Sequence, residues 1–178
     1  MKNITVFCGS KKGSLPEYAA AAQELAAALL RRQMGLVYGG GHVGLMGVLA
    51  NAMLDGGGPV IGIIPQKLVE HEVAHAHLDR LEVVEDMHQR KALMSELAAG
   101  FITLPGGIGT LEELFEVFTW QAIGYHDKPC GLLNTEGYYD QLIEFLDHQT
   151  RSGFLGEAQR ARLIVATEAE ELLQKMGF

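Results

Sequence analysis

The chain has 178 residues, of which 48% are hydrophobic and 20% charged, and this balance is typical of a folded globular protein. Its formal net charge of −8 argues against nucleic acid as a partner, because a surface that binds DNA or long RNA needs an excess of lysine and arginine. No stretch approaches the roughly 20 apolar residues of a membrane span, and the apolar N-terminal run is too short for a signal peptide. We therefore expect a cytoplasmic protein that contacts no membrane, and a small phosphorylated ligand remains compatible with the overall charge.

Strand-like and helix-like segments alternate along the chain, beginning with a β-branched, aromatic run and an alanine-rich run. Strands are predicted at 3–8, 35–41, 59–65, 81–85, 101–105, 129–134 and 162–166, and helices at 15–33, 44–55, 86–100, 110–123, 137–151 and after Thr167. This alternation predicts an α/β fold with a Rossmann-like parallel sheet and helices on both of its faces. Without a linker or an internal repeat, residues 1–178 are predicted to form a single nucleotide-binding domain.

The ligand of such a sheet usually lies beyond the carboxyl ends of the strands. Four segments leave those ends: Gly9-Ser10, GGGHVG at 39–44, PQKLVEHEV at 65–73 and PGGIGT at 105–110. We expect the functional site among these four segments.

The densest of these motifs is PGGIGT, which leads into the helix predicted at 110–123. Gly107, Gly109 and Thr110 can each offer a backbone N–H to an anion at the start of that helix, where the helix dipole also favours negative charge. The motif lacks the lysine that follows the glycines of a nucleoside triphosphate loop. The pattern therefore favours a monophosphate.

Glu113 has two interpretations in the sequence. Thr110 and Glu113 have the spacing of a capping box, in which the two side chains satisfy backbone N–H groups at a helix start. Alternatively, Glu113 is a functional carboxylate beside the phosphate loop. Glu112 is most simply an acidic residue on the solvent side of the first turn.

Two further motifs are ambiguous. GGGHVG resembles a dinucleotide-binding turn, but the next strand ends in IIPQ without the expected acidic residue, so we favour a tight turn that lines a nucleotide pocket or allows close packing. His71 and His75 have a zinc-like spacing but lie in a predicted loop, and no metal site is predicted. Cys8 and Cys130 are expected to be buried thiols.

PGGIGTLEE, DMHQRK at 86–91 and YGGGHVGLMG at 38–47 together resemble the LOG-type ("lonely guy") cytokinin riboside 5′-monophosphate phosphoribohydrolases, over nearly the whole chain. The resemblance implies a homodimeric hydrolase without cofactor or metal, which cleaves AMP or N6-prenylated AMP to free base and ribose 5-phosphate. It implies that Arg90 and Glu113 are catalytic. It also implies a set of substrate contacts: Glu72, Arg90, Lys91, Gly107, Ile108, Gly109, Thr110, Leu111, Glu112, Glu113 and Thr119.

Other interpretations remain. On pattern alone, Arg90 and Lys91 border the buried face of a helix and resemble cations that snorkel to solvent. A nucleotide carrier without activity would share the fold and the phosphate loop. A lysine decarboxylase, a label the family has also carried, would need a Schiff-base lysine and a partner for the pyridinium nitrogen, and neither is recognisable.

The helix predicted at 110–123 is apolar on two sides, one of which includes Phe118 and the other Trp120. A surface helix needs only one apolar side. Burial of both sides predicts either a subunit interface, in which Phe118 takes part, or a central helix buried in a single chain.

Overall fold

Seven strands form the sheet of this computed structural model, which describes residues 2–69 and 74–178. They are β1 (Asn3–Phe7), β2 (Gly35–Tyr38), β3 (Val60–Pro65), β4 (Arg80–Val84), β5 (Gly100–Thr103), β6 (Cys130–Leu133) and β7 (Leu163–Ala166). All pairs are parallel, and the order across the sheet is β4-β3-β2-β1-β5-β6-β7. The predicted α/β class is therefore confirmed.

Helices cover both faces of this sheet, as predicted. They are α1 (Pro16–Arg31), α2 (Gly44–Asp55), α3 (Met87–Leu97), α4 (Ile108–Ala122), α5 (Asp140–Arg151), α6 (Glu157–Arg160) and α7 (Ala169–Lys175). An apolar cluster lies under α1, α2 and α7, and a second cluster lies under α3, α4 and α5. Within β1, Ile4 and Val6 belong to the first cluster and Phe7 to the second, so this strand is buried on both faces of the sheet.

Several element boundaries differ from the sequence prediction. Helix α3 ends at Leu97 because Gly100 already pairs with Ile4 in the sheet. Helix α4 begins at Ile108, two residues early, and the N–H of Leu111 donates to the carbonyl oxygen of Gly107. The low helix propensity of glycine matters little in a first turn, where most N–H groups have no helical partner. The four-residue helix α6 is too short for a periodic pattern and was not predicted.

Helix α4 is buried on one side only. Leu114, Val117 and Phe118 are buried in the second apolar cluster, and Phe118 is only 4% exposed. Thr119 and Ala122 are exposed. The prediction that Phe118 lies in a subunit interface is wrong, because this side chain is buried within its own chain.

Three smaller observations complete the fold. Asp86 caps α3 by accepting a hydrogen bond from the N–H of Gln89. Cys8 and Cys130 are buried free thiols. Across residues 2–69 and 74–178, no helix is long and apolar enough to cross a membrane.

Candidate active site

The candidate site lies between β1 and β5, at the point where the strand order of the sheet reverses. Strands β1 and β5 are neighbours, but the helices that follow them, α1 and α4, pack on opposite faces. Such a switch point opens a crevice at the carboxyl ends of the strands. A cleft of about 310 Å³ occupies this place, and its size lies within the usual range for small-ligand pockets. It is lined by Cys8, Ser10, Met46, Leu68, Met87, Arg90, Gly107, Ile108, Gly109, Thr110, Glu112 and Glu113.

The glycine-rich loop forms one wall of this cleft. Gly107 precedes the first residue of α4, and the backbone from Gly107 to Thr110 lines the cleft. A Cβ atom added at Gly107 or Gly109 would meet no atom within 4 Å, so both glycines face open space. At Gly106 the same atom would collide with Thr110 Oγ1, so this glycine is required by packing. The helix start therefore presents backbone N–H groups to the cleft in the arrangement that binds anions.

Glu113 contributes a carboxylate to the cleft from the second turn of α4. The predicted capping box is wrong, because α4 begins at Ile108 and no side chain caps it. The expectation that Glu112 lies in the first turn is wrong for the same reason, and Glu113 also lies beyond the first turn, where the helix dipole acts most strongly. Glu113 is half-buried and lines the cleft, where its carboxylate can meet a ligand.

Arg90 lines the cleft from α3. Its side chain is only 5% exposed, which excludes a snorkelling cation. Nη2 donates to the carbonyl oxygen of Gly39 over 3.2 Å, and Nη1 lies 3.8 Å from the sulfur of Met87. A Cβ atom on Gly39 would collide with Nη2. The first position of GGGHVG is therefore a glycine because the guanidinium of Arg90 packs against its backbone.

Lys91 faces α4. Its Nζ lies 2.6 Å from Glu112 Oε1 and 3.0 Å from Glu116 Oε1. Burial alone would lower the pKa of Lys91, but the hydrogen bonds and charges of the two glutamates outweigh it and leave the pKa above its ordinary value. Lys91 therefore ties α3 to α4, and through Glu112 it touches a residue that lines the cleft.

Three other predicted substrate contacts are not among the described lining residues. Leu111 packs beside the second apolar cluster, and Thr119 is exposed about three turns along α4. Glu72 lies outside the described residues, as does His71. Their roles in binding remain predictions.

His75 is a buried histidine with both ring nitrogens engaged. Nδ1 accepts from the N–H of His77 at 3.2 Å, and Nε2 lies 2.9 Å from Asn51 Oδ1. Burial, together with the nearby His42 and His77, lowers the pKa of His75 below its ordinary value. Within the described residues, no group of three or more His, Cys, Asp and Glu side chains could hold a metal ion. His75 thus has a structural role in the loop that follows β3.

Five lining residues were not among the predicted substrate contacts: Cys8, Ser10, Met46, Leu68 and Met87. Ser10 and Leu68 nevertheless belong to segments in which the site was expected. Cys8 and Ser10 could have been predicted to line the site, since they follow the end of β1 at the carboxyl edge of the sheet. Burial, and then the charge of Glu113, raise the pKa of the Cys8 thiol well above its ordinary value. A thiol held neutral in this way is a poor nucleophile, and Cys8 contributes to the shape of the cleft.

Comparison with known proteins identifies the family. A family model described as "Possible lysine decarboxylase" matches residues 46–176. A cytokinin riboside 5′-monophosphate phosphoribohydrolase of Rhodococcoides fascians is 51% identical over 170 residues, which cover 95% of this chain and 86% of that protein. A relative of the same name from Arabidopsis thaliana is 48% identical over 175 residues, covering 98% and 82%. The chain belongs to this phosphoribohydrolase family.

More distant members of the same fold are known from solved structures. The molybdenum cofactor binding protein of Rippkaea orientalis superimposes with a TM-score of 0.73 over 100% of this chain and 99% of that one, at 22% identity. The molybdenum cofactor carrier protein of Chlamydomonas reinhardtii gives a TM-score of 0.74 over 99% and 96%, at 18% identity. At these identities the likeness shows a common fold, which phosphoribohydrolases share with carriers.

Proposed function

We propose that this chain hydrolyses the N-glycosidic bond of adenosine 5′-monophosphate or an N6-modified form of it, giving free base and ribose 5-phosphate. One observation carries the proposal: Glu113 and the buried Arg90 line the same cleft as the glycine-rich start of α4. Relatives about half identical to this chain are named for the reaction on cytokinin riboside monophosphates. An N6-modified AMP is therefore the expected substrate.

The start of α4 is suited to the 5′-phosphate. The backbone at Gly107, Ile108 and Gly109 lines the cleft, and both glycines leave open space where a side chain would stand. Three phosphate oxygens can accept from N–H groups in such a concave loop, and the helix dipole adds attraction. Binding energy from the phosphate then holds the distant glycosidic bond in place for reaction.

Glu113 is suited to the sugar end of the substrate. When the bond between C1′ of the ribose and the base nitrogen breaks, its electron pair leaves with the base, and positive charge develops on the ribose ring. A carboxylate near C1′ stabilises this charge and takes a proton from the water that attacks C1′. We assign these two roles to Glu113.

Arg90 is suited to an electrostatic role, because a guanidinium stays charged and is a poor proton donor. Its contacts with the Gly39 carbonyl oxygen and the Met87 sulfur fix it in the wall of the cleft. Positive charge at this place either stabilises the electron pair on the departing base or holds the two anions, Glu113 and the phosphate, in place. In both cases the contribution is largest in the transition state.

A lysine decarboxylase fits the cleft less well than a hydrolase. Among the described residues that line the cleft, none is a lysine that could form a Schiff base. The cleft instead presents a carboxylate, a guanidinium and the backbone at a helix start, which match a nucleotide. A carrier would use the same loop but would have no need for both Arg90 and Glu113 in the cleft.

We further propose that the chain forms a homodimer through the outer side of α4. Thr119 and Ala122 are exposed on this helix, and Ile108 at its start is 83% exposed. Phe115 and Leu111 are only half-buried. An apolar helix side of this kind is suited to a self-complementary interface between two copies.

Product analysis tests the function. The protein is incubated with AMP, with its N6-isopentenyl analogue and with the two corresponding nucleosides, and the products are separated by chromatography. We expect free base and ribose 5-phosphate from the nucleotides. For the nucleosides we expect kcat/KM lower by at least about 10²-fold, since each charge-assisted hydrogen bond contributes about 1.5–3 kcal/mol. Binding of nucleotide without any turnover would instead support a carrier.

A further inference from the structure

Three consecutive carbonyl oxygens of the glycine-rich loop are held by donors outside the loop. Leu104 O accepts from Tyr139 Oη at 2.8 Å, Pro105 O from the N–H of Gly9 at 3.0 Å, and Gly106 O from Tyr138 Oη at 2.6 Å. These residues directly precede the N–H groups that line the cleft. The segment is thus fastened through these three acceptors and through the N–H of Leu104, which donates to the carbonyl oxygen of Phe7 at 2.9 Å. The N–H groups of Gly107, Ile108 and Gly109 follow it at the cleft.

The bond to Gly106 fixes the orientation of one peptide group. The carbonyl of Gly106 and the N–H of Gly107 belong to the same planar trans peptide, so they point in opposite directions. With the oxygen held by Tyr138, the N–H of Gly107 points away from Tyr138. Two adjacent glycines rotate easily, and without this bond the peptide can turn its carbonyl oxygen towards a bound anion, which the oxygen would repel.

The two tyrosines differ in how deeply they are buried. Tyr139 lies in the second apolar cluster, and its backbone N–H donates to Asn134 Oδ1 at 2.7 Å. Tyr138 is 43% exposed and lines a neighbouring cavity of about 330 Å³, which shares Ser10 and Gly107 with the cleft. Tyr139 is therefore needed for the fold, whereas the hydroxyl of Tyr138 can be removed at little cost in stability.

We infer that Tyr138 is a positioning residue, whose hydroxyl holds the Gly106–Gly107 peptide in the orientation that binds the 5′-phosphate of the substrate. The inference rests on the proposed function, because it takes the ligand of the loop to be that phosphate. It assigns Tyr138 no contact with the substrate. Its effect is on the affinity for phosphate, and the chemical step is left to the residues of the cleft.

The test compares Tyr138→Phe with a matched control, Tyr18→Phe. Tyr18 lines the same cavity and packs edge-on against Tyr138 at 5.6 Å, but its hydroxyl makes no hydrogen bond within the described part of the chain. Binding of ribose 5-phosphate is measured by calorimetry, and KM and kcat are measured for AMP. Inhibition by adenosine, which has no phosphate, reports any general loosening of the cleft.

We expect Tyr138→Phe to weaken ribose 5-phosphate binding and to raise the KM for AMP about tenfold, with kcat and adenosine inhibition nearly unchanged. The control should behave as the parent does. If Tyr138→Phe bound ribose 5-phosphate within about twofold of the parent, the inference would be overturned. It would also be overturned if the variant lost adenosine inhibition as strongly as it lost ribose 5-phosphate binding, or if the parent itself bound no ribose 5-phosphate. If the phosphate effect is seen but AMP is not hydrolysed, the inference stands and the proposed function fails.

Discussion

The guanidinium of Arg90 and the carbonyl oxygen of Gly39 are joined by a hydrogen bond of 3.2 Å between α3 and the end of β2. A cation buried in a protein needs such a partner, since an unpaired buried charge is costly. The absence of a side chain at Gly39 gives the guanidinium its place in the cleft wall. The glycine-rich turn after β2 thereby positions a predicted catalytic residue.

Gly39→Ala should displace Arg90 and lower kcat/KM for AMP by roughly 10²-fold, because a misplacement of about 1 Å at a reacting site can cost that much. The added methyl group should also lower stability by about 1–3 kcal/mol through overpacking. Activity assays and thermal melting measure the two effects. Gly156→Ala is the control, since a Cβ atom there meets open space. Full activity in folded Gly39→Ala would show that the position of Arg90 is unimportant.

Ala122→Arg should convert the proposed homodimer to a monomer. Ala122 is exposed on α4, so the change should not disturb the core, but it places an unpaired charge in the proposed interface. Light scattering measures the mass. Ala20→Arg is the control, because Ala20 is exposed on α1 at the opposite face of the sheet. An unchanged dimer in Ala122→Arg would remove the outer side of α4 from the interface.

Acid should destabilise the chain through His75. Folding lowers the pKa of His75 below its ordinary 6.5, so the unfolded chain takes up the proton first and the free energy of unfolding falls as the pH drops. In His75→Gln, the loss of stability between about pH 7.5 and about pH 5.5 should be smaller than in the parent. Urea denaturation measures it. His148→Gln, at an exposed histidine, should retain the full loss, and an equal loss in His75→Gln would contradict the assignment.

The strands and the site's location were predictable because both depend on local patterns. Continuous apolar runs identified each strand, and the rule that ligands lie beyond strand ends identified the loops after β1 and β5. The start of α4 was not predictable in this way. Gly109 lowers helix propensity, and Thr110 with Glu113 imitates a capping box, so the sequence favoured a helix beginning two residues late.

Contacts between distant segments were also beyond the sequence. Nothing in the pattern around Arg90 shows that it reaches Gly39, 51 positions earlier, because helical spacing describes a residue's own helix and not its partners. The same holds for Phe118, whose apolar stripe fits an interface as well as a core. The hydrogen bond from Tyr138 to Gly106 joins residues 32 positions apart, and no sequence pattern around either residue indicates it.

Turnover by Glu113→Gln tests the central claim most directly, because glutamine has nearly the same shape but cannot act as a base or offer a charge. The fold should survive, since Glu113 caps no helix, and ribose 5-phosphate should still bind to the untouched loop. Glu144→Gln, at an exposed glutamate of α5, serves as the control. We predict that kcat for AMP falls by roughly 10²-fold or more in Glu113→Gln, the usual scale for a lost general base or electrostatic group. A variant that melts normally and turns over AMP within about threefold of the parent would contradict the account.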